Sequence, residues 1–453
     1  MDRLAEDLSA AVGAGHVLTD PDLTAAYTTD WTRRYRGTAA CVVRPGSAAE
    51  AAEAVRICAR HRVPVVPQGG NTGLVGGSVP GPGDGGVVLS AARLRRLDPV
   101  DTLAAQVTAG AGVPIAALRA HAAAAGLEYG VDLASRDSAT VGGTIATNAG
   151  GIHTIRYGGT RAQLIGVEAV LADGNVISRL NGVVADNTGY DLAQLVAGSE
   201  GTLAVITAAR LRLWPAEPHA VTVLAGVAGI EAAVAAQAEI RSRVPGVRVA
   251  EYFEAAGLAL VREHTGLPAP LPRPYPAYLL VVAGGPPEHA ERLAGLPFLD
   301  DAAVSVDQAG SAALRAYRER HTEAISAAGI PHKLDIAVPV TRLAALRGAL
   351  DDTVRAAAAR SGPEPRTIVF GHIGAGNLHV NVLGPGPADD SVDEAVLTLA
   401  AAHGGTISAE HGIGRAKVRW LGLNRSPEEM AAMRAVKAAL DPSGLLNPGV
   451  LFA

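Results

Sequence analysis

A glycine-dense loop directly after a short apolar strand constrains this chain more than any other feature. Val63-Pro64-Val65-Val66 reads as the strand, and Pro67-Gln68-Gly69-Gly70-Asn71-Thr72-Gly73-Leu74-Val75-Gly76-Gly77-Ser78 follows it. Such a loop can turn several backbone N–H groups into one concavity, a nest suited to phosphate oxygens. It lacks the Gly-Lys-Ser/Thr ending of a nucleoside-triphosphate loop. Leu74 and Val75, set among the glycines, favour a buried loop over a mobile surface one.

Two further small-residue segments extend the pattern. Asp132-Leu133-Ala134-Ser135-Arg136-Asp137-Ser138 runs into Ala139-Thr140-Val141-Gly142-Gly143-Thr144-Ile145-Ala146-Thr147-Asn148-Ala149-Gly150-Gly151. Gly198-Ser199-Glu200-Gly201-Thr202 then leads into an apolar strand ending near Leu213. Together these loops suit a long, flat, phosphate-bearing cofactor, although spacing alone does not name it. Gly110-Ala111-Gly112 imitates a dinucleotide fingerprint, with Asp132 twenty residues on. Ile115 stands where that pattern needs Gly or Ala, so Pro114 is read more simply as a first-turn helix proline.

At 453 residues the chain is long enough for two or three domains. Its 53 glycines are nearly 12%, where about 7% is usual. A net charge of −5 gives no basic stripe, which argues against nucleic acid as a partner. The acidic amphipathic start is not a signal peptide, and no apolar run is long enough to span a membrane. Cys41 and Cys58 provide no disulfide framework, so a cytoplasmic location is expected.

A second constellation carries different chemistry. His372 and His379 flank Ile373-Gly374-Ala375-Gly376-Asn377-Leu378 between two strand-like runs, Thr367 to Phe370 and Leu378 to Leu383. Glu410-His411 follows later. Two imidazoles and one carboxylate leave coordination positions open, as catalytic rather than structural metal sites do. On a strand, His379 and Asn381 face the same side. The competing reading is a glycine-rich hairpin with incidental histidines. Composition sharpens the picture: lysine occurs only at Lys333, Lys417 and Lys437, and five of nine asparagines (Asn71, Asn148, Asn377, Asn381, Asn447) lie in these motifs.

The remaining chain reads as α+β. Residues 1–36 suggest two short lead-in helices. Ser47 to Glu50 is a capping box opening a helix through Arg60. Val167 to Leu171, Asp173-Gly174 and Val176-Ile177 form a hairpin. Strand-like runs at Ala220 to Val227 and Tyr278 to Val282 alternate with helical spacing at Gly229 to Arg243, Ala312 to Ala327 and Arg342 to Arg360. This predicts a cap domain with an antiparallel sheet. Pro268 to Pro276 predicts an exposed loop, and Ser426-Pro427-Glu428-Glu429 a second capping box.

Gln68 to Pro80, Asp132 to Gly151, Gly198 to Thr207, Gly371 to Asn381, Ser408 to Gly414 and Asp441 to Phe452 together resemble the FAD-linked D-2-hydroxy acid dehydrogenases. These are flavoproteins of the vanillyl-alcohol-oxidase class, with a PCMH-type FAD-binding domain of two subdomains. The resemblance covers nearly the whole chain. Within the family, Gln68 to Pro80 and Asp30-Trp31-Thr32-Arg33-Arg34-Tyr35-Arg36-Gly37 look closest to D-2-hydroxyglutarate dehydrogenases. It implies a lead-in at 1–36, a PCMH-type FAD domain at 37–215, a substrate and metal cap at 216–400, and a 401–453 segment whose Leu446-Asn447-Pro448-Gly449 tail returns to the FAD domain.

The same resemblance implies roles. Gly69, Gly70, Asn71, Thr72, Gly73, Leu74 and Ser78 would hold the pyrophosphate of a non-covalent FAD. Asp132, Ser138, Gly142, Gly143, Asn148, Gly151, Tyr157 and Asn447 would line the flavin path, with Ile206 near the adenine. His372, His379 and Glu410 match the divalent-metal ligands, zinc first and manganese second. Arg318, Thr322, Lys333 and Asn381 match substrate anchors, and His411 matches the catalytic base. An external electron acceptor, such as an electron-transfer flavoprotein or a quinone, is implied; a homodimer is left open. Ala375 departs from the family, whose members often carry Asp there, which puts metal retention in question.

The implied reaction oxidises a 2-hydroxy acid to the 2-oxo acid, with D-2-hydroxyglutarate first and D-lactate or glycolate second. A zinc hydrolase would use His372, His379 and Glu410 but leave the glycine loops idle. A silent FAD-binding subunit would use the loops but not His411. An oxidase consuming oxygen directly is a further alternative.

Overall fold

The computed structural model describes residues 2–217, 220–296, 301–359 and 363–452. They divide into two compact units. The first holds 1–151, 158–216 and 410–453; the second holds 152–157 and 217–409.

The first unit is built on two four-stranded sheets. In one, Ala39–Val43, Gly86–Ser90 and Val65–Gln68 run parallel, with Val17–Leu18 antiparallel at one edge. Every residue from Gly86 to Ser90 is buried, as a central parallel strand covered on both faces requires. The lead-in helices are Asp2–Val12 and Pro21–Thr28, the latter capped by Asp20 and opened by a proline. Ser47 caps Ala48–His61 by accepting the Glu50 N–H at 3.1 Å. The Glu50 carboxylate accepts the Gly46 N–H at 2.7 Å, so the expected box closes one residue early. Leu8, Val43, Ile57, Leu89 and Leu446 share this core.

The other sheet is antiparallel, in the order Gln106–Gly110, Val205–Arg212, Leu164–Val170, Val176–Ser178. The last two strands form the expected hairpin, with Gly174 at φ 79° in its turn. Gly112 earns its place by packing, because a Cβ there would lie 1.9 Å from the Ala91 carbonyl oxygen. Pro114 is the N-cap of Ile115–Ala124 (φ −62°, ψ 144°), one position earlier than the sequence reading placed it. The C-terminal helix Pro427–Leu440 opens with the complete Ser426/Glu429 capping box. Its tail returns to the first sheet, where Leu446 bridges Val65.

The second unit is organised on one seven-stranded antiparallel sheet. Its order is Ala302–Ser305, Ala220–Val227, Ala277–Gly284, Val247–Glu254, Arg366–His372, Asn377–Leu383, His332–Ala337. The helix expected over Ala312 to Ala327 is two helices, Gln308–Glu319 and His321–Ala328, broken at Arg320. Their buried Tyr317, Ala324 and Ile325 pack with Phe253, Ile368 and Phe370 of the sheet. Among the described residues no helix is long and apolar enough to cross a membrane.

Candidate active site

In the first unit the glycine loop is held rigidly by side chains. Asn71 sits at φ 51°, and its Nδ2 donates to the carbonyls of Ala26 (3.1 Å) and Thr29 (2.8 Å). Its Oδ1 accepts from Ser78 Oγ at 2.8 Å. Gln68 Nε2 donates to the carbonyls of Tyr27 and Ser78, closing the loop on itself. Gly70 is demanded by close approach: a Cβ would stand 1.8 Å from the Ser138 carbonyl oxygen.

Among the described residues, the backbone N–H groups of Gly70, Asn71, Thr72, Gly73 and Leu74 donate to no protein acceptor. All five residues are half-buried. A run of five open backbone donors on a loop of fixed shape suits anionic oxygens.

The neighbouring segments are equally fixed. Asp132 is buried and ion-paired with Arg136 (3.1 Å) and Arg119 (3.5 Å). Helix Val141–Thr147 ends on Asn148 in the left-handed region, φ 48°, and Asn148 Oδ1 accepts the Arg161 N–H. Gly142 packs on Ala111. Asn447 is 1% exposed and donates to the carbonyls of Gly77 (2.8 Å) and Glu200 (2.7 Å). Ile206 is buried in the core of the antiparallel sheet. Tyr157 falls in the second unit, with the Arg248 guanidinium over its ring.

The segment carrying His411 is anchored by a carboxylate the sequence reading did not single out. Glu200 accepts the N–H groups of Ile413 (2.8 Å) and Gly414 (2.7 Å). Burial raises the Glu200 pKa, while these two donors and Lys417 lower it against that shift. Arg415 and Ala416 donate from their backbone to the Val75 carbonyl. The His411 segment is thereby fastened to the glycine loop. Glu410 Oε1 accepts the Gly151 N–H at 3.1 Å.

In the second unit, strand register gathers the other half. Glu251 lies opposite His372, Asp335 opposite His379, Lys333 opposite Asn381, and Phe370 opposite His379. Residues directly opposite, or two apart on one strand, share a face. Hence these side chains project from one side of four adjacent strands. His372 Nδ1 and Glu251 Oε1 are 2.5 Å apart, and His379 Nδ1 lies 3.5 Å from Asp335 Oδ1. Asp335 is fully buried and is steadied by Asn377 Nδ2 at 2.8 Å. The two Nε2 atoms face each other at 3.4 Å. A metal-binding histidine usually gives its other nitrogen to a carboxylate; His372 does so here, and the Asp335 carboxylate lies beside the other nitrogen of His379. The donor set therefore fits a divalent cation. The carboxylates come from neighbouring strands rather than from the connection containing Ala375.

The expected anchors lie on or over this face. Arg318 is buried, its NH2 2.7 Å from Glu251 Oε2 and its guanidinium 4.4 Å above the Phe370 ring, while its Nε finds no acceptor. Lys333 Nζ donates to Ser326 Oγ at 3.3 Å, and burial lowers its pKa. Thr322 is half-buried on His321–Ala328. The chain leaves this unit immediately after Ala409, whose N–H donates to the Asp335 carbonyl, and Glu410 and His411 follow.

Glu251, Asp335 and Glu200 were legible only as acids inside apolar strands or loops, a weak signal without register.

A sheet-borne loop of open N–H groups, followed by a separate antiparallel domain, defines a two-domain protein suited to a phosphate-bearing ligand. Residues 39–181 match the FAD binding domain, and residues 216–451 match the C-terminal domain of FAD linked oxidases. The chain belongs to this family of FAD-linked oxidases. It is 37% identical to D-2-hydroxyglutarate dehydrogenase of Xanthomonas citri pv. viticola, covering 98% of this chain and 96% of the relative. The mitochondrial Bos taurus enzyme of the same name is also 37% identical, over 98% of this chain and 82% of the relative. A mitochondrial Schizosaccharomyces pombe relative, provisionally named a D-lactate dehydrogenase, is 33% identical over 95% of this chain and 85% of its own length. The fold is shared with alkyldihydroxyacetonephosphate synthase (TM-score 0.76, 16% identity, 99% and 86% of the chains) and p-cresol methylhydroxylase (0.72, 15%, 99% and 96%).

Asn71→Ala removes three hydrogen bonds and leaves a non-glycine residue at positive φ. At a net ~0.5–1.5 kcal/mol per bond, FAD affinity should fall about tenfold or more. Flavin fluorescence titration of the apoprotein measures it.

Proposed function

We propose that the chain oxidises a D-2-hydroxy acid to the 2-oxo acid, D-2-hydroxyglutarate first and D-lactate second. The observation that carries this reading is the convergence of His372 Nε2 and His379 Nε2, each imidazole backed by a carboxylate, beside Arg318 and Lys333. A face with two ligands and two cations suits a substrate that chelates a metal and carries negative charge. The full-length similarity to D-2-hydroxyglutarate dehydrogenases supports the same substrate class.

In this reading His372, His379 and Glu410 hold a divalent metal, zinc before manganese. The metal supplies Lewis acidity toward the substrate hydroxyl, lowering its pKa. FAD supplies the hydride acceptor. The Gly70 to Leu74 amides hold its pyrophosphate without a covalent link. His411 takes the hydroxyl proton as general base, a contribution of about 10²–10⁴-fold for such a group. Arg318, Thr322, Lys333 and Asn381 orient the carboxylates. Electrons pass on to an external carrier, an electron-transfer flavoprotein or a quinone. A cytoplasmic location and a homodimer complete the proposal.

The deciding experiment is an anaerobic visible spectrum of the holoenzyme before and after D-2-hydroxyglutarate. Bleaching of the flavin band is expected. Bleaching by D-lactate alone would exchange the substrate, and no bleaching by any 2-hydroxy acid would end the reading. Exhaustive chelation should abolish turnover and zinc should restore it; full activity in protein shown metal-free by elemental analysis would remove the metal.

Lys333 gives a pH test. Burial depresses its pKa, so its charge is lost at lower pH than for an ordinary lysine at 10.5. KM for an anionic substrate should therefore begin to rise below that pH. Lys333→Arg keeps its charge, so the mutant's KM should stay flat over the same range.

A further inference from the structure

Glu251 touches two groups with opposite demands. Its Oε1 is 2.5 Å from His372 Nδ1, and its Oε2 is 2.7 Å from the Arg318 guanidinium. All three side chains are nearly sealed from water, at 1%, 6% and 8% exposure for Glu251, His372 and Arg318. Arginine only donates, and an ionised carboxylate only accepts. Next to Glu251, then, His372 must carry its proton on Nδ1. That leaves the Nε2 lone pair directed at His379 Nε2, 3.4 Å away.

We infer that Glu251 is a positioning residue which makes Arg318 and His372 one unit, the arginine deciding through the shared carboxylate which nitrogen of the imidazole can bind metal. This rests on the metal reading above. The Arg318 guanidinium is a close ion-pair partner of Glu251 Oε2, although no aligned N–H bond reaches that oxygen, and it packs on Phe370. The register pairing Glu251 with His372 brings Oε1 to the ring. Two neighbouring groups are engaged otherwise. Asp335 serves His379, and His321, buried between Phe253 and Phe370, has its pKa driven down to about 3 by burial and Arg318, so it stays neutral.

The consequence is specific. In Glu251→Gln the amide oxygen must turn to Arg318, which can accept nothing. The NH2 then faces His372 Nδ1, which has to become the acceptor, and the ring proton moves to Nε2. Metal binding is weakened although shape and volume are kept. Removing the arginine as well frees the amide to turn round, give its oxygen to Nδ1–H and restore the Nε2 lone pair.

The test compares wild type, E251Q and E251Q/R318M in the FAD-loaded protein. Zinc affinity is measured by competition with a chelator, and the tautomer by ¹⁵N histidine spectra of the zinc-free form. E251Q should bind zinc about 10–100-fold more weakly, the usual loss for an outer partner of a ligand. Its His372 should be protonated at Nε2. The double variant should recover zinc affinity and the Nδ1–H form despite carrying one more substitution. An E251Q protein with wild-type affinity and tautomer, or a double variant no better than E251Q, would overturn the inference. A wild type with the Nδ1–H tautomer and no zinc affinity would instead overturn the metal reading and leave the tautomer control standing.

Discussion

The pairing register of four antiparallel strands is the constraint on which the second unit's chemistry depends. Glu251 opposes His372 and Asp335 opposes His379 because Val247–Glu254, Arg366–His372, Asn377–Leu383 and His332–Ala337 are aligned as they are. Side chains alternate with a period of two. A slip of one residue in Asn377–Leu383 would therefore send His379 and Asn381 to the opposite face and bring Val380 in. The pattern of buried residues prevents that slip. Leu378, Val380 and Val382 are fully buried and hold the strand's other face against the core. The apolar half of each strand thus guarantees the placement of its polar half.

Burying acids in such a sheet is tolerable only because each is paired. Breaking a buried ion pair by removing one partner costs about 3–5 kcal/mol, since the remaining charge is left without compensation. Glu251 has an imidazole and the charge of a guanidinium beside it, and Asp335 accepts from an amide. The first unit shows the complementary case. Its glycine loop retains five unpaired amide donors while Asn71, Ser78 and Gln68 lock its shape. The acids of the sheet face are met by partners within their own unit, whereas the glycine loop leaves a run of amide donors open.

Much of this was legible in the sequence wherever a signal is local. Glycine density marked the loop of open amides, Ser426 and Glu429 marked a helix start, and the Asp173-Gly174 turn marked a hairpin. What was not legible is long-range. Nothing near Glu251 in the chain announces His372, 121 residues away, because only strand pairing joins them. Glu200 is farther still, 213 and 214 residues, from the Ile413 and Gly414 amides it accepts. Arg320 hid the break between two helices, since an arginine is as acceptable in a continuous helix as at its end. Pro114 was misplaced by one position because a proline satisfies both N-cap and first-turn sterics.

The comparison with solved structures separates what the fold supplies from what the residues supply. Alkyldihydroxyacetonephosphate synthase and p-cresol methylhydroxylase share the architecture over nearly the whole chain at 15–16% identity. Their names describe different reactions, so the architecture by itself does not choose a substrate. In this chain the choice has to reside in side chains added to a common frame. The sheet face carrying His372, His379, Lys333, Asn381 and the Glu251–Arg318 pair gathers charged and polar side chains in one place. Each is set by register on a rigid sheet or by packing against it, which holds reacting groups more firmly than loops would. The loop of open amides needs only a phosphate-bearing flavin and can remain the same across chemistries. The polar sheet face has to change whenever the substrate does.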